Sequence, residues 1–296
     1  MAGLYIFIIM IFRVVQSLFG KRASEEIKNP TMMIGYISYR NLISTALGML
    51  LILLGGNGFK VDLLTVGIAT FSGLTLFFAG YCSIYALKSG TISLDAMFGT
   101  AGMIVPIIAG VVLFDKPISL MQIVGLGLFF VAAYLLIGAS KKVYTNFSYK
   151  TLLLLLGSLV ANGGTMLAQQ MFTAYVPDGD VSVFSFFSFG TLGVLSGLVY
   201  TSITATRKVD RESTKMSKAS AVCGVALAIS VFVINQLATI STALVSPVIL
   251  FTFINGGGTI ISTLVAAIVY KEKIEKRTAV GVTLGIISLV VIKMFE

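Results

Sequence analysis

The chain contains no histidine and no tryptophan, and only two cysteines among its 296 residues. Without histidine, most zinc sites are excluded and the commonest general base of enzymes is missing. Cys82 and Cys223 lie in apolar runs without C-x-x-C spacing, which argues against a disulfide framework or a thiolate metal site. We therefore expect no metal, no cofactor and no enzymatic activity.

Charged residues are also scarce, at 11% of the chain, whereas 57% of the residues are hydrophobic and the mean hydropathy is +0.99. A soluble domain has roughly 45–50% apolar and about 25% charged residues. This small number of charged residues cannot cover the protein's surface in water. We therefore expect a lipid bilayer around the protein. The net charge of +9 comes from Lys and Arg in short turns between apolar runs, and indicates membrane topology rather than a nucleic-acid partner.

The apolar runs have the length of membrane-spanning helices, which need about 20 residues each. The first run lacks a basic leader and a small-x-small cleavage pattern, so we interpret it as a span rather than a signal peptide. The break between the third and fourth spans, at residues 88–90, is the weakest, so nine spans are the alternative. The ten predicted spans cover residues 3–20, 31–54, 63–87, 90–114, 118–139, 150–175, 181–204, 218–241, 244–270 and 277–295.

The two halves of the chain resemble each other. A shift of 156 residues places Gly102 on Gly258 and Gly125 on Gly281. With five spans in each half, the second copy enters the membrane upside down, as in secondary transporters whose site lies between inverted repeats near the bilayer midplane. We predict an all-α membrane protein in which residues 1–145 and 146–296 are five-helix repeats of one integrated bundle.

Three charged residues fall inside spans and away from their ends, where each costs roughly 2.5–3.5 kcal/mol unless it is paired or wet. Arg13 and Arg40 lie on one helical hairpin, at depths of roughly 10 and 15 Å from its turn. Together they predict a clamp for a carboxylate or phosphate; the alternative is snorkelling or binding of free carbonyls. Asp95 is a candidate for proton coupling, with a helix-start or charge-pairing role as the alternative.

Uncharged polar residues supply the other candidate substrate ligands. A shift of 149 residues places Arg13 on Asn162 and Gln16 on Thr165. The alternative role of such side chains in lipid is helix packing. The glycine run 256–258 is expected to loosen a helix and expose carbonyls beside protein or a wet cavity. Besides Arg13 and Arg40, the predicted substrate-binding residues are Gln16, Tyr81, Tyr85, Asn162, Asn235 and Asn255.

Several short patterns resemble the EamA-like branch of the drug/metabolite transporter superfamily. They are the acid-containing turns 114–118 and 270–274, Arg40 in the second span, and Gln16 followed by Lys21 at the end of the first. The chain departs from that family at Arg13, where tryptophan is common. The resemblance implies that spans one to four and six to nine surround a cavity, that spans five and ten support them, and that both termini are cytoplasmic.

These features predict a secondary transporter in the plasma membrane. The embedded charges, two arginines and one aspartate, favour a small anionic or zwitterionic metabolite, such as an amino acid or organic acid. The first span has Arg13 and no acid, which disfavours cationic drugs. Protons are a candidate co-substrate. The alternatives are a lipid or lipid-linked sugar translocator and a membrane scaffold or receptor. An ATP-driven pump is not expected, because no G-x-x-x-x-G-K-[ST] motif occurs.

The Lys and Arg residues are distributed unevenly between the turns. Counted from the first turn, the odd turns hold sixteen, whereas the even turns hold only Lys60 and Lys116. Such an excess marks the cytoplasmic side. The charge count therefore predicts cytoplasmic odd turns and outside termini, contrary to what the family resemblance implies.

Overall fold

The apolar runs form helices in the computed structural model of the protein, which describes residues 1–55, 59–88, 98–137, 149–206, 214, 216–269 and 276–295. Eight helical segments among these residues are long and apolar enough to cross a membrane, and two shorter apolar ones cover Phe98–Leu113 and Leu120–Leu135. This architecture fits a helical membrane protein, as the composition predicts. The helices are α1 (Ala2–Glu26), α2 (Pro30–Leu54), α3 (Leu63–Lys88), α4 (Ile104–Leu113), α5 (Leu120–Ile137), α6 (Tyr149–Tyr175), α7 (Val181–Thr206), α8 (Lys218–Thr242), α9 (Pro247–Thr252), α10 (Gly258–Val269) and α11 (Lys276–Met294).

Helix α1 is longer than the predicted span. The sequence predicts a polar turn over residues 21–26, but the helix continues to Glu26 and the turn is confined to residues 27–29. Lys, Arg, Ala and Glu are good helix formers, so the chain leaves its apolar stretch without leaving the helix. The next helix starts with Pro30 after Asn29, whose Oδ1 accepts a hydrogen bond from the Met32 backbone N at 2.7 Å.

The helices pack in pairs drawn from different halves of the chain. The most extensive contacts are α2 with α7, α3 with α6, α5 with α11, α1 with α8, and α3 with α7. Glycines allow some of these close approaches: a Cβ on Gly193 of α7 would lie 3.1 Å from Leu42 Cδ2 of α2. Hydroxyl groups also join α2 to its neighbours, since Ser38 Oγ donates to the Gly193 carbonyl of α7 at 2.8 Å and Ser44 Oγ donates to the Ala228 carbonyl of α8 at 3.1 Å.

Two segments interrupt regular α-helix in the middle of the bundle. Helical residues 98–101 are separated from α4 by a turn at Gly102 and Met103. Between α9 and α10, Phe253–Gly257 form a π turn, which agrees with the expected loosening by the glycine run. Fully buried Leu250, Phe251, Ile9 and Met103 surround this region in the largest apolar cluster.

Lys116, one of the two lysines in the even turns, is bound to the protein. Its Nζ donates a hydrogen bond to the carbonyl of Thr242, the last residue of α8, at 3.2 Å. Partial burial lowers the pKa of this ammonium group. A cation at a helix C-terminus satisfies free carbonyls and complements the helix dipole, so Lys116 has a structural role here.

Candidate functional site

A cavity of about 210 Å³ lies between α1, α2, α3, α6, α8 and the α9–π-turn region. It brings together six of the residues singled out by sequence: Arg13, Gln16, Arg40, Asn162, Asn235 and Asn255. The remaining lining residues are Leu76, Thr165, Met166, Gln169, Val231, Ile234, Ala238, Phe251 and Ile254. Both pairs that the 149-residue shift superposes, Arg13 with Asn162 and Gln16 with Thr165, therefore line the same space.

Arg13 is held in this cavity by two neutral oxygen atoms. Its Nη1 donates to Oε1 of Gln16, one turn along α1, at 3.2 Å, and its Nη2 donates to Oδ1 of Asn255 at 3.3 Å. Its Nε is buried without a hydrogen-bond partner. The side chain passes close to α10, because a Cβ on Gly258 would lie 3.1 Å from Arg13 Cγ. The guanidinium is oriented by amides, which leave its charge uncompensated.

Arg40 reaches the cavity from the middle of α2. Its Nε is buried without a hydrogen-bond partner, and the described part of the chain supplies no acceptor for its guanidinium. Neither arginine forms an ion pair with a carboxylate of the described residues. A buried charge without a partner is costly, whereas an anion bound between two guanidiniums would form charge-assisted hydrogen bonds. The cavity is therefore suited to bind a negative group.

The three asparagines of the cavity share one arrangement. Each Nδ2 donates to the carbonyl four residues earlier on its own helix: Asn162 to Ser158 at 2.8 Å, Asn235 to Val231 at 3.0 Å and Asn255 to Phe251 at 3.0 Å. The Oδ1 atoms are thereby left to accept hydrogen bonds from other groups. Asn235 Oδ1 accepts from Gln169 Nε2 at 2.9 Å, which joins α8 to α6.

Of the other predicted site residues, only Tyr81 has a described side chain. Tyr81 is 44% exposed and does not line it. The side chain of Tyr85 and the whole of Asp95 lie outside the described residues. Sequence reasoning missed Gln169 as a site residue, although it follows Asn162 and Thr165 at helical spacing on one face of α6 and could have been found by that spacing.

A second, wider cavity of about 950 Å³ lies at the end of the bundle near residues 55–65 and 176–183. Gln236 lines it, whereas the neighbouring Asn235 lines the first cavity. Gln236 is bound to α7 on both sides of its amide: Ser185 Oγ donates to Oε1 at 2.6 Å, and Nε2 donates to Ser182 Oγ at 3.1 Å. These hydrogen bonds hold α8 against α7 beside the wider cavity.

No protein-family model matches the chain, and no curated relative matches it by sequence. Solved structures do: 28 of their chains are similar to this one. One crystal structure superposes with a TM-score of 0.80 at 15% identity, and the match covers 99% of this chain and 96% of the other. At this identity the likeness establishes a shared fold over the whole chain and carries no conclusion about activity.

Proposed function

We propose that this protein is a secondary transporter of the EamA-like drug/metabolite type, which moves a small anionic or zwitterionic metabolite across the plasma membrane by alternating access. The observation that carries the proposal is the pair of guanidinium groups, Arg13 and Arg40, which line one cavity inside the bundle without a carboxylate partner among the described residues. Charged residues in the membrane interior mark substrate pathways.

The pattern of helix contacts supports two inverted five-helix repeats. If α1, α2, α3 and α5 correspond to α6, α7, α8 and α11, and α4 corresponds to the α9–α10 segment, each of the five most extensive contacts has a counterpart. The α1–α8 contact then matches α6–α3, and α3–α7 matches α8–α2, while α2–α7 and α5–α11 match themselves. The two helix interruptions also correspond: one lies directly before α4, at Gly102 and Met103, and the other lies between α9 and α10. Substrate sites of inverted-repeat transporters lie beside such broken helices.

The test is uptake of radiolabelled succinate, pyruvate, glutamate and alanine into proteoliposomes that contain the purified protein, with and without a pH gradient. We expect uptake of at least one carboxylate above the level of protein-free liposomes, and loss of that uptake in Arg40→Ala. Uptake of none of them, together with movement of a fluorescent lipid between leaflets, would support the lipid translocator instead.

For the membrane orientation, we propose the one that the Lys and Arg count predicts, with the odd turns cytoplasmic and both termini outside, rather than the one that the family resemblance implies. We expect a cysteine introduced at position 215, in the seventh turn, to react with a membrane-impermeant maleimide only after the cells are opened. The control is the same reagent on the chain with Cys82 and Cys223 replaced by Ser. Labelling of position 215 on intact cells by an impermeant maleimide would reverse the orientation.

A further inference from the structure

Asn255 connects the charged side of the cavity to an irregular backbone segment. It lies within the π turn Phe253–Gly257, and its Nδ2 donates to the Phe251 carbonyl at 3.0 Å. Because the amide nitrogen is occupied there, Oδ1 is directed away, and it accepts from Arg13 Nη2 at 3.3 Å. The backbone carbonyl of Asn255 accepts from Thr259 Oγ1 at 2.7 Å. One residue thus joins the Arg13 guanidinium to both sides of the turn.

The glycines that follow Asn255 bring the same helix, α1, against the same turn. A Cβ on Gly257 would lie 2.6 Å from Met10 Cε, and one on Gly258 would lie 3.1 Å from Arg13 Cγ. Larger residues would require the side chains of Met10 and Arg13 to move, which would disturb the Arg13–Asn255 hydrogen bond. The close approach and the hydrogen bond are therefore parts of one contact between α1 and the turn.

An anion in the cavity would compete for the atoms that Asn255 now occupies. Arg13 donates to two neutral amide oxygens, of Gln16 and Asn255. A carboxylate or phosphate oxygen brings the opposite charge to the guanidinium and can accept two parallel hydrogen bonds, which a neutral amide oxygen cannot match. A π turn is a rare interruption of an α-helix, and such turns occur frequently at functional sites. Filling the cavity would thus release Arg13 from Asn255 and alter the restraint on the turn.

We propose that Asn255 is a positioning residue that orients Arg13 in the empty cavity, and that the π turn is the joint through which anion binding at Arg13 acts on the α9–α10 segment. This inference rests on the proposed function for its anion, but the contact between Arg13 and the turn is testable without one. A ligand can shift a conformational equilibrium only through contacts that differ between the states, and the Arg13–Asn255 bond is such a contact.

Asn162 provides a matched control. It is also an asparagine of the cavity lining, and its Nδ2 is likewise tied to the carbonyl four residues earlier, that of Ser158, at 2.8 Å. It also donates to Ser158 Oγ at 3.3 Å, but it makes no hydrogen bond to either arginine. Substitutions at Asn162 therefore change an amide of the same cavity without touching the Arg13–Asn255 contact.

The ligand-free test is a double-mutant cycle, read by hydrogen exchange of the backbone amides of residues 253–259 in the purified full-length protein. Arg13→Gln and Asn255→Ala should each raise exchange there several-fold. The double variant should exchange no faster than Asn255→Ala alone, since that change already removes the contact with Arg13 together with the Asn255–Phe251 hydrogen bond. Arg13→Gln with Asn162→Ala should give independent, multiplicative effects. Multiplicative effects for Arg13 and Asn255 would overturn the proposal. If Asn255→Ala does not elute as a single species, Asn255→Ser replaces it in the cycle.

The transport test uses the aspartate variants in proteoliposomes with the carboxylate identified by the uptake assay. Asn255→Asp should pair with Arg13 and compete with the substrate, which raises KM by about tenfold more than Asn162→Asp does, since a hydrogen bond to a charged group is worth a factor of roughly ten or more. Equal increases in KM would show that only the added charge matters, and would overturn the positioning role. If no carboxylate is transported but the hydrogen-exchange cycle still shows that the effects of Arg13 and Asn255 are not multiplicative, the proposed function is refuted and the contact between Arg13 and the turn stands.

Discussion

The residues that line the cavity at Arg13 and Arg40 form two walls, one from each half of the chain, and these walls differ in chemistry. The first half contributes the charged groups, Arg13 and Arg40, whereas the described lining from the second half is neutral and rich in amides, including Asn162, Gln169 and Asn235. The shift that superposes Arg13 on Asn162 replaces a guanidinium by an amide. The two halves thus contribute unequally to the cavity, and under the proposed function a substrate with one negative end would bind in one direction, with that end towards α1 and α2.

The strongest test of this inequality uses Asp95, because the charged residues predicted to lie away from the span ends, Arg13, Arg40 and Asp95, all belong to the first half. If Asp95 carries the coupled proton, Asp95→Asn should abolish accumulation driven by a pH gradient and leave substrate counterflow at the wild-type rate. Both are measured in the same proteoliposomes. Loss of counterflow as well would assign Asp95 a structural role and leave only the arginines as the basis of the inequality.

Arg40 should give the next largest effect, on affinity. Arg40→Ala removes hydrogen bonds to a charged group, worth about 1.5–3 kcal/mol or roughly 10–150-fold in KM. Arg40→Lys should recover part of that loss only, since an ammonium keeps the charge but not the planar fork. The matched change in the neutral wall, Asn235→Ala, should alter KM less than Arg40→Lys does. Wild-type transport by normally expressed Arg40→Ala would remove the distinction between the walls.

The packing of the two walls predicts a smaller effect, on stability. A Cβ on Gly163 of α6 would contact the backbone carbonyl of Gly102 and lie 2.5 Å from Val105 Cγ2. Overpacking of this kind costs about 1–3 kcal/mol, so Gly163→Ala should lower the unfolding temperature in detergent. Gly67→Ala is the control, because nothing lies within 4 Å of its added Cβ. An unchanged unfolding temperature for Gly163→Ala would mean that α4 and α6 separate easily.

The smallest effect is expected at Gln236, which belongs to the second half of the chain and lines the wider cavity. Gln236→Ala removes the hydrogen bonds with Ser185 and Ser182, and polar contacts between membrane helices contribute about 0.6 kcal/mol each. We expect a small fall in thermal stability and faster labelling of a cysteine placed at Asn235 by a reagent added from the side of the wide cavity. Unchanged labelling would show that these hydrogen bonds do not control access.

Helix positions and the polar residues of α1 and α6 could be read from the sequence because each depends on local order. Apolar length locates the spans, and helical spacing places Arg13 and Gln16, or Asn162 and Thr165, on one face. The end of α1 was misplaced because charge ends a membrane span but not a helix. Tyr81, one turn before Tyr85, was grouped with the site by spacing alone. The packing of α3 on α6 and α7 leaves the Tyr81 side chain 44% exposed.

The amino-acid sequence by itself determined that the protein is helical, apolar and poor in groups for catalysis, since these properties depend on composition and on patterns within single helices. Which polar residues meet was decided by the tertiary structure. Arg13 and Asn255 are 242 positions apart, and no local pattern specifies such a contact. It depends on the crossing of α1 with the π turn, where glycines allow a close approach that helix periodicity cannot predict.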